Sequence, residues 1–309
     1  MRKWRKFMTL LLSAVFVAIC VVAAGCGGSG SGGKVAYLNY NDGSSTGKKL
    51  KAEFQARADA EGINVYYQDA HNDISAQIDQ LNAAIDGGAK AIVLLAVDSE
   101  RLAPTVKRAE DAGIPVIALN RSVEGTKSLS VLSDEKEAGR LQGERLKAVL
   151  PQGANVLYLQ GPADQSGAQK RFEGFKEACL DQRSDITLLD KQDGDYSKSE
   201  AMKITAVWLK LYPKIDAIVC GNDEMATGAL RALKSAGRTG VIVTGVDAKG
   251  GALDAIGEGT MLMTVWQDVK GQADAAFDLV SQIMKGSKPT EGQVIPFKVV
   301  DKDNVAQFK

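Results

Sequence analysis

Tyr40, Asn41 and Asp42, Asn120 with Arg121, Arg171, Tyr196, Asn222 with Asp223, Asp247, and Trp266 with Gln267 are the side chains in this sequence best equipped to grip a ligand. They combine carboxylate, carboxamide, guanidinium and aromatic groups. That mixture suits a polyhydroxylated molecule: Asp and Asn bridge neighbouring hydroxyls, Arg donates in a fixed fork, and rings cover apolar C–H faces. Hydrogen bonds with a charged partner contribute about 1.5–3 kcal/mol each, and a missing hydroxyl leaves a buried polar group unpaired, so selectivity follows from that penalty. Each position also has a plainer role open to it. Asn222 and Asp223 suit a helix N-cap, and Asp247 could cap a helix near 249–257. Arg171 could be a solvated helix residue like Lys170 and Lys176, and Tyr196 and Trp266 could pack between lobes.

Other chemistries find little support. The single histidine, His71, reads as a turn residue, and one histidine rules out most His-based catalytic sets and multi-His metal sites. Gly28, Gly30 and Gly33 match GxGxxG but precede the first strand, where a dinucleotide fingerprint must follow one. Gly43-Ser44-Ser45-Thr46-Gly47-Lys48-Lys49 has three residues between its glycines where a phosphate loop needs four, and no Ser or Thr follows Lys48. No G-x-S-x-G is present.

The elements that must position the polar set come from hydrophobic patterning. Short Val/Ile/Leu runs at 34–40, 63–68, 91–97, 115–119, 154–160, 186–190, 216–220 and 241–246 read as strands buried on both faces. Amphipathic stretches around 48–61, 74–86, 101–112, 135–149, 168–182, 197–211, 223–236 and 268–285 read as helices, several closed by Gly62, Gly87-Gly88, Gly113 or Gly237. The halves echo each other. Ile63 to Gln68 matches Ile186 to Gln192, with Gln68-Asp69 and Gln192-Asp193 in the same place; Asp98 answers Asp223, and Asn120 answers Asp247. Two doubly wound α/β lobes with parallel sheets follow, and such sheets bind ligands beyond the carboxyl ends of their strands, where the polar set falls.

The chain has 309 residues, enough for about two domains. Its 38 basic and 38 acidic groups balance only because Arg2, Lys3, Arg5 and Lys6 lead the chain; without those four the body carries a net charge of −4. An acidic body does not suit sequence-independent nucleic-acid binding. The basic head, the apolar run from Phe7 to Ala24 and the small residues before Cys26 read as an export signal, with an uncleaved membrane helix as the alternative. Ala23-Ala24-Gly25-Cys26 resembles the lipobox of bacterial lipoproteins, which implies a lipid on Cys26 and an extracytoplasmic body tethered by the Gly/Ser tract of residues 27–33. Cys179 and Cys220 read as buried thiols whose pairing spacing cannot decide.

With these residues placed, the chain resembles the type I periplasmic binding proteins of sugar importers, particularly the ribose-binding and galactose/glucose-binding branch. The likeness covers residues 34–309. It rests on Gly221-Asn222-Asp223-Glu224-Met225-Ala226-Thr227-Gly228-Ala229-Leu230, supported by Gly113 to Arg121, Arg171-Phe172-Glu173-Gly174-Phe175 and Thr244-Gly245-Val246-Asp247. The resemblance implies that Asn120, Arg121, Arg171, Asn222, Asp247 and Gln267 contact a sugar and that Tyr196 stacks on it. The first loop lacks the family's Phe, so Tyr40 or Trp266 is expected to substitute, beside Asp42. Leu95 replaces a ligand Asn of the ribose branch, which argues against ribose itself. Lys147 to Ala154 lacks the acidic calcium loop of the galactose branch, so neither metal nor cofactor is expected.

The implied organisation is an N-terminal lobe of 34–133 plus 268–293 and a C-terminal lobe of 134–267 plus 294–309, hinged near 133–135, 265–268 and 292–296. The implied function is that of a monomeric, non-enzymatic receptor delivering a monosaccharide, hexose or pentose, to the permease and ATPase subunits of an ABC importer. A receptor for a non-sugar polyol or autoinducer-2, or a chemotaxis sensor, is the alternative. A sugar-responsive transcription regulator would need a helix-turn-helix where the export segment stands.

Overall fold

The computed structural model describes residues 34–163 and 165–309. The export signal, Cys26 and the Gly/Ser tract lie outside the described residues. β1 (Val35–Asn39), α1 (Ser45–Glu61), β2 (Val65–Asp69), α2 (Ile74–Asp86), β3 (Ala91–Leu94), α3 (Ser99–Asp111), β4 (Val116–Leu119) and β5 (Leu129–Leu132) come first. Then follow α4 (Glu135–Val149), β6 (Asn155–Gln160), α5 (Ser166–Phe175), β7 (Thr187–Asp193), α6 (Lys198–Leu211), β8 (Ala217–Cys220), α7 (Asp223–Ser235), β9 (Ile242–Val246), α8 (Gly250–Gly257) and β10 (Met263–Trp266). α9 (Val269–Met284), β11 (Gln293–Val294) and β12 (Lys298–Asp301) complete the order.

Two six-stranded sheets result, ordered β11-β5-β4-β3-β1-β2 and β12-β10-β9-β8-β6-β7. Position for position they are one topology used twice. They differ at the late strand, since β11 runs parallel to β5 and β12 antiparallel to β10. Strands buried on both faces need helices on both sides, and alternate residues supply the two cores. In the first lobe Val35, Tyr37, Val93 and Ile117 face α1 and α9, while Ala36, Leu38, Ile92 and Val116 face α2 and α3. In the second lobe Val156, Tyr158 and Val219 face α4 and α5; Leu157, Leu159 and Ile218 face α6, α7 and α8. The chain passes between the sheets at 133–134, 267–268 and 295–297.

Eight strands are predicted and twelve form among the described residues. β5, β10, β11 and β12 are only two to four residues long and lie on the outer side of each sheet, where short segments carry little periodic signal. β3 ends at Leu94 rather than 97 because a side chain takes over as its neighbour: buried Gln77 donates from Nε2 to the Leu95 carbonyl at 2.8 Å and accepts from the Val97 amide at 2.7 Å. The helix expected over 168–182 is α5 followed by a π-helical turn at Lys176–Leu180. Cys179 and Cys220 are free, buried thiols in separate clusters of the core.

The internal echo is exact at the turns that matter here. After β2 and β7, Asp69 and Asp193 each accept from the backbone amide two residues on, at 2.8 Å, and the chain then turns through positive φ at His71-Asn72 and at Asp195-Tyr196. Asn72 is therefore the counterpart of Tyr196. After β4 and β9, Asn120 and Asp247 sit at φ 67° and 119°, and each donates its amide to the next strand, at Val131 and Val265. The expected match of Asp98 to Asp223 fails. Asp98 is the N-cap of α3, but the N-cap of α7 is Asn222, because the loop after β3 carries two more residues than the loop after β8.

Candidate functional site

Arg171 reaches the strand tips of the second lobe because α4 and α5 touch backbone to backbone. A Cβ on Gly139 would overlap the Arg171 carbonyl, and one on Gly174 would overlap the Lys136 carbonyl. This approach buries Arg171, which donates from Nε to Glu135 Oε2 and from Nη1 to the Gly221 carbonyl, both at 2.5 Å. Burial works against the guanidinium charge, but Glu135, Tyr196 and Asp247 together outweigh it and the Arg171 pKa lies above the ordinary arginine value. A buried charge of this kind is tolerable only with its partner in place. Among the described residues Nη2 makes no hydrogen bond.

Tyr196 comes from the positive-φ turn after β7, at φ 49°, with its ring laid on the α-carbon of Gly161. The ring centroid is 6.0 Å from the Arg171 guanidinium carbon. Burial pushes the Tyr196 hydroxyl up to about 12, so it remains a donor at any physiological pH. Replacing Gly161 with alanine should push the ring from this seat and weaken ligand binding about tenfold, with the melting temperature little changed. Calorimetric titration of the variant beside the parent checks this. Unchanged affinity would mean that the ring does not touch the ligand.

Asn222 does serve as an N-cap, accepting from the Met225 amide at 2.9 Å, and its amide nitrogen reaches the Tyr196 carbonyl at 3.4 Å. Asp247 does not cap the helix that follows. Lys249 holds that position, no side chain caps α8, and the Asp247 carboxylate lies 3.1 Å from Lys249 Nζ. The charge of Asp247 is felt at both Arg171 and Tyr196, which puts all three in one neighbourhood.

Asp223 turns inward. It is 1% exposed, with Oδ1 accepting from the Thr264 hydroxyl at 2.7 Å and Oδ2 from the Lys249 amide at 2.8 Å. Burial, with Asp247 nearby, raises its pKa well above the ordinary carboxyl value. The folded protein therefore keeps a proton that the unfolded chain releases above about pH 4, and stability falls as pH rises toward the folded-state value, with a slope of up to about 1.4 kcal/mol per pH unit. Asp223→Asn can satisfy both partners and has no proton to lose. Urea unfolding at pH 5 and pH 8 should show the variant gaining on the parent at the higher pH; a constant difference would mean that Asp223 ionises normally.

On the first lobe, Tyr40 is buried beneath Arg121, whose guanidinium carbon stands 4.0 Å above the ring while Nη1 donates to the Ala96 carbonyl at 2.9 Å. Arg121 has no carboxylate partner among the described residues, and its charge reaches Tyr196 of the other lobe. Asn120 donates from Nδ2 to Gln272 Oε1 at 3.0 Å, and Gln272 Nε2 donates in turn to the Ser133 hydroxyl at 2.8 Å, so the tip of β4 is tied to a crossing segment. Gln267 lies in another crossing segment, buried, with its side-chain nitrogen unpaired among the described residues.

Two expected members have other partners. Asp42 is ion-paired to Lys51 and accepts from the side-chain Nδ2 of Asn39 at 2.5 Å. Trp266 packs edge-on against Phe308 at 5.4 Å, with Lys298 over its ring at 5.2 Å. Sequence reasoning missed Glu135, Gln272 and Lys249. A buried Arg demands a carboxylate, but nothing in the spacing says which of the 38 acidic residues supplies it. Among the described residues no three His, Cys, Asp or Glu side chains are grouped to hold a metal ion.

Polar side chains thus stand at the strand tips of two look-alike sheets joined by three chain crossings. A family model described as a periplasmic binding protein domain matches residues 35–288. The chain belongs to that family. Members of this family are binding proteins. A xylitol-binding protein of Mycolicibacterium smegmatis is 31% identical over 94% of this chain and 84% of its own length. The ribose import binding protein of Escherichia coli is 30% identical over 82% and 85%. A solved structure of an ABC transporter solute binding protein from Bacillus halodurans with bound myo-inositol superposes with a TM-score of 0.86 at 29% identity, covering 91% of this chain and 99% of that one. The two doubly wound, parallel-sheet lobes of this chain have the type I periplasmic binding protein architecture.

Proposed function

We propose that this protein is the extracytoplasmic receptor of an ABC importer, that it captures a monosaccharide or a polyol of similar size between its lobes, and that it performs no chemistry on it. One observation carries the reading: Arg171, Tyr196, Asn222 and Asp247 gather at the strand tips of one lobe, and Arg121 of the other lobe is close enough to be felt at Tyr196. The names of the relatives, which bind ribose and xylitol, and the myo-inositol in the similar structure support the ligand class. Asp247 and Asn222 would take paired hydroxyls, Arg171 and Arg121 would donate to ring or hydroxyl oxygens, Tyr196 and Tyr40 would cover apolar faces, and Asn120 and Gln267 would complete the set.

The lobes, 34–133 with 268–293 and 134–267 with 294–309, would close about the three crossing segments. A ligand that touches both lobes only when they are shut shifts an open-closed equilibrium by those additional contacts, and the shut form is what a permease can recognise. Lipid on Cys26 would keep the receptor, a monomer in this reading, at the membrane beside its transporter.

The test is a thermal-shift panel of pentoses, hexoses, xylitol, myo-inositol and autoinducer-2, followed by titration calorimetry of each hit. A ligand at 100 times its Kd should add about 2.7 kcal/mol of stability. Stabilisation by at least one sugar or polyol is expected. A response confined to autoinducer-2, or none across the panel, would overturn the reading.

A further inference from the structure

The candidate acceptor Asp247 already has an ammonium beside it. Lys249 brings Nζ to 3.1 Å from Asp247 Oδ2, and both side chains are largely withdrawn from water, at 27% and 12% exposure. The lysine is not a free surface arm, since its backbone amide is bonded to Asp223 Oδ2 at 2.8 Å. Between the pair the chain runs through positive φ at Asp247 and Ala248, a conformation that ordinary side chains rarely adopt. Strain of this order persists only where the surroundings over-determine it. Burial works against the ammonium, and Asp247, with Glu224 and Asp223 beyond it, more than compensates, so its pKa stays above the ordinary lysine value.

Among the described residues the other charged groups nearby are largely engaged, with Glu224 in the first turn of α7 as the remaining carboxylate whose charge reaches Lys249. Glu135 is engaged by Arg171, Asp223 faces the Thr264 hydroxyl and the Lys249 amide, and Arg121 adds a further positive charge across the crevice. A ligand ammonium placed on Asp247 would meet Lys249 at close range, with the charge of Arg171 adding to the repulsion. A ligand hydroxyl can instead donate to a free lone pair of Asp247 while Lys249 stays in place.

We propose that Lys249 is a specificity-determining residue: its ammonium occupies, from the protein side, the position an amine-bearing ligand would need on Asp247, so the crevice takes neutral polyols and rejects their amino derivatives. The inference rests on reading the crevice as a polyol site. Discrimination comes from a built-in repulsive group as well as from attractive contacts.

Titration calorimetry with matched pairs tests it: D-glucose and D-glucosamine, D-galactose and D-galactosamine, myo-inositol and 1-amino-1-deoxy-scyllo-inositol. In the pair that binds, the parent protein should favour the neutral member by at least about 50-fold, as like-charge juxtaposition predicts. Lys249→Met should narrow that ratio at least about tenfold, and Lys249→Arg should keep it within about threefold of the parent value. Lys249→Gln gives the same readout should the methionine variant fail to fold. A methionine or glutamine variant that binds the neutral member with the parent's ratio overturns the role of Lys249 and leaves the receptor reading standing, as does a parent protein that binds both members equally. Absence of binding to every neutral polyol tried overturns the receptor reading itself.

Discussion

Replacing Arg171 with methionine should weaken ligand binding at least about a hundredfold and lower stability by about 3 kcal/mol. The two losses have different origins. Binding suffers because a buried guanidinium at the strand tips, with Nη2 unspent among the described residues, is the strongest hydrogen-bond donor the second lobe offers. Stability suffers because Glu135, with its side chain 16% exposed, is left without its partner. The double variant Arg171→Met with Glu135→Gln separates them: neutralising the stranded carboxylate should recover most of the stability and none of the affinity. Urea unfolding and titration calorimetry on the parent, both single variants and the double variant supply the comparison. Near-parental affinity in the double variant would remove Arg171 from the ligand site.

Gly139→Ala should be among the most damaging single-methyl changes in the protein, at about 3 kcal/mol. The new Cβ would land on backbone atoms of α5, at the Arg171 carbonyl and within 2.8 Å of the Phe175 nitrogen, and no rotamer change can move a backbone. Only separation of the two helices relieves it, and that separation draws Arg171 away from Gly221. Ligand affinity should therefore fall along with the melting temperature, the latter by roughly 6–12 °C for a body of this size. Gly167→Ala in the first turn of α5 is the control. Its Cβ would meet Glu135 Cγ at 3.4 Å, an ordinary contact, so stability should change by less than about 1 kcal/mol. Equal effects at the two positions would mean that the helices are not held by that close approach.

The duplicated α/β architecture was readable from the pattern of residues. Runs such as Ala91 to Leu95 and Ala217 to Cys220 are apolar without alternation, which only a strand covered on both faces requires, and the amphipathic stretches between them supply the covers. The tips of those strands are readable too, since Asn120, Asn222 and Asp247 each directly follow or lie just beyond an apolar run. The partners of Trp266, which ends β10, and of Asp42, which follows β1, were not readable: Phe308 packs on the ring and Lys51 pairs with the carboxylate, and neither is marked by spacing.

Hydrophobic periodicity and turn chemistry are local properties of a chain, so two α/β halves and the polar character of their strand ends can be read along it. What those ends do depends on contacts made in space. Glu135 stands 36 residues from Arg171, and Gln272 stands 152 residues from Asn120, so each pairing depends on how closely two helices or a helix and a strand end approach. Lys249 is only two residues from Asp247, yet their meeting depends on a positive-φ turn that the residues Asp-Ala-Lys do not announce. Charge partners are fixed by distances in space of a few ångströms, and those distances are set by packing rather than by the order of residues along the chain.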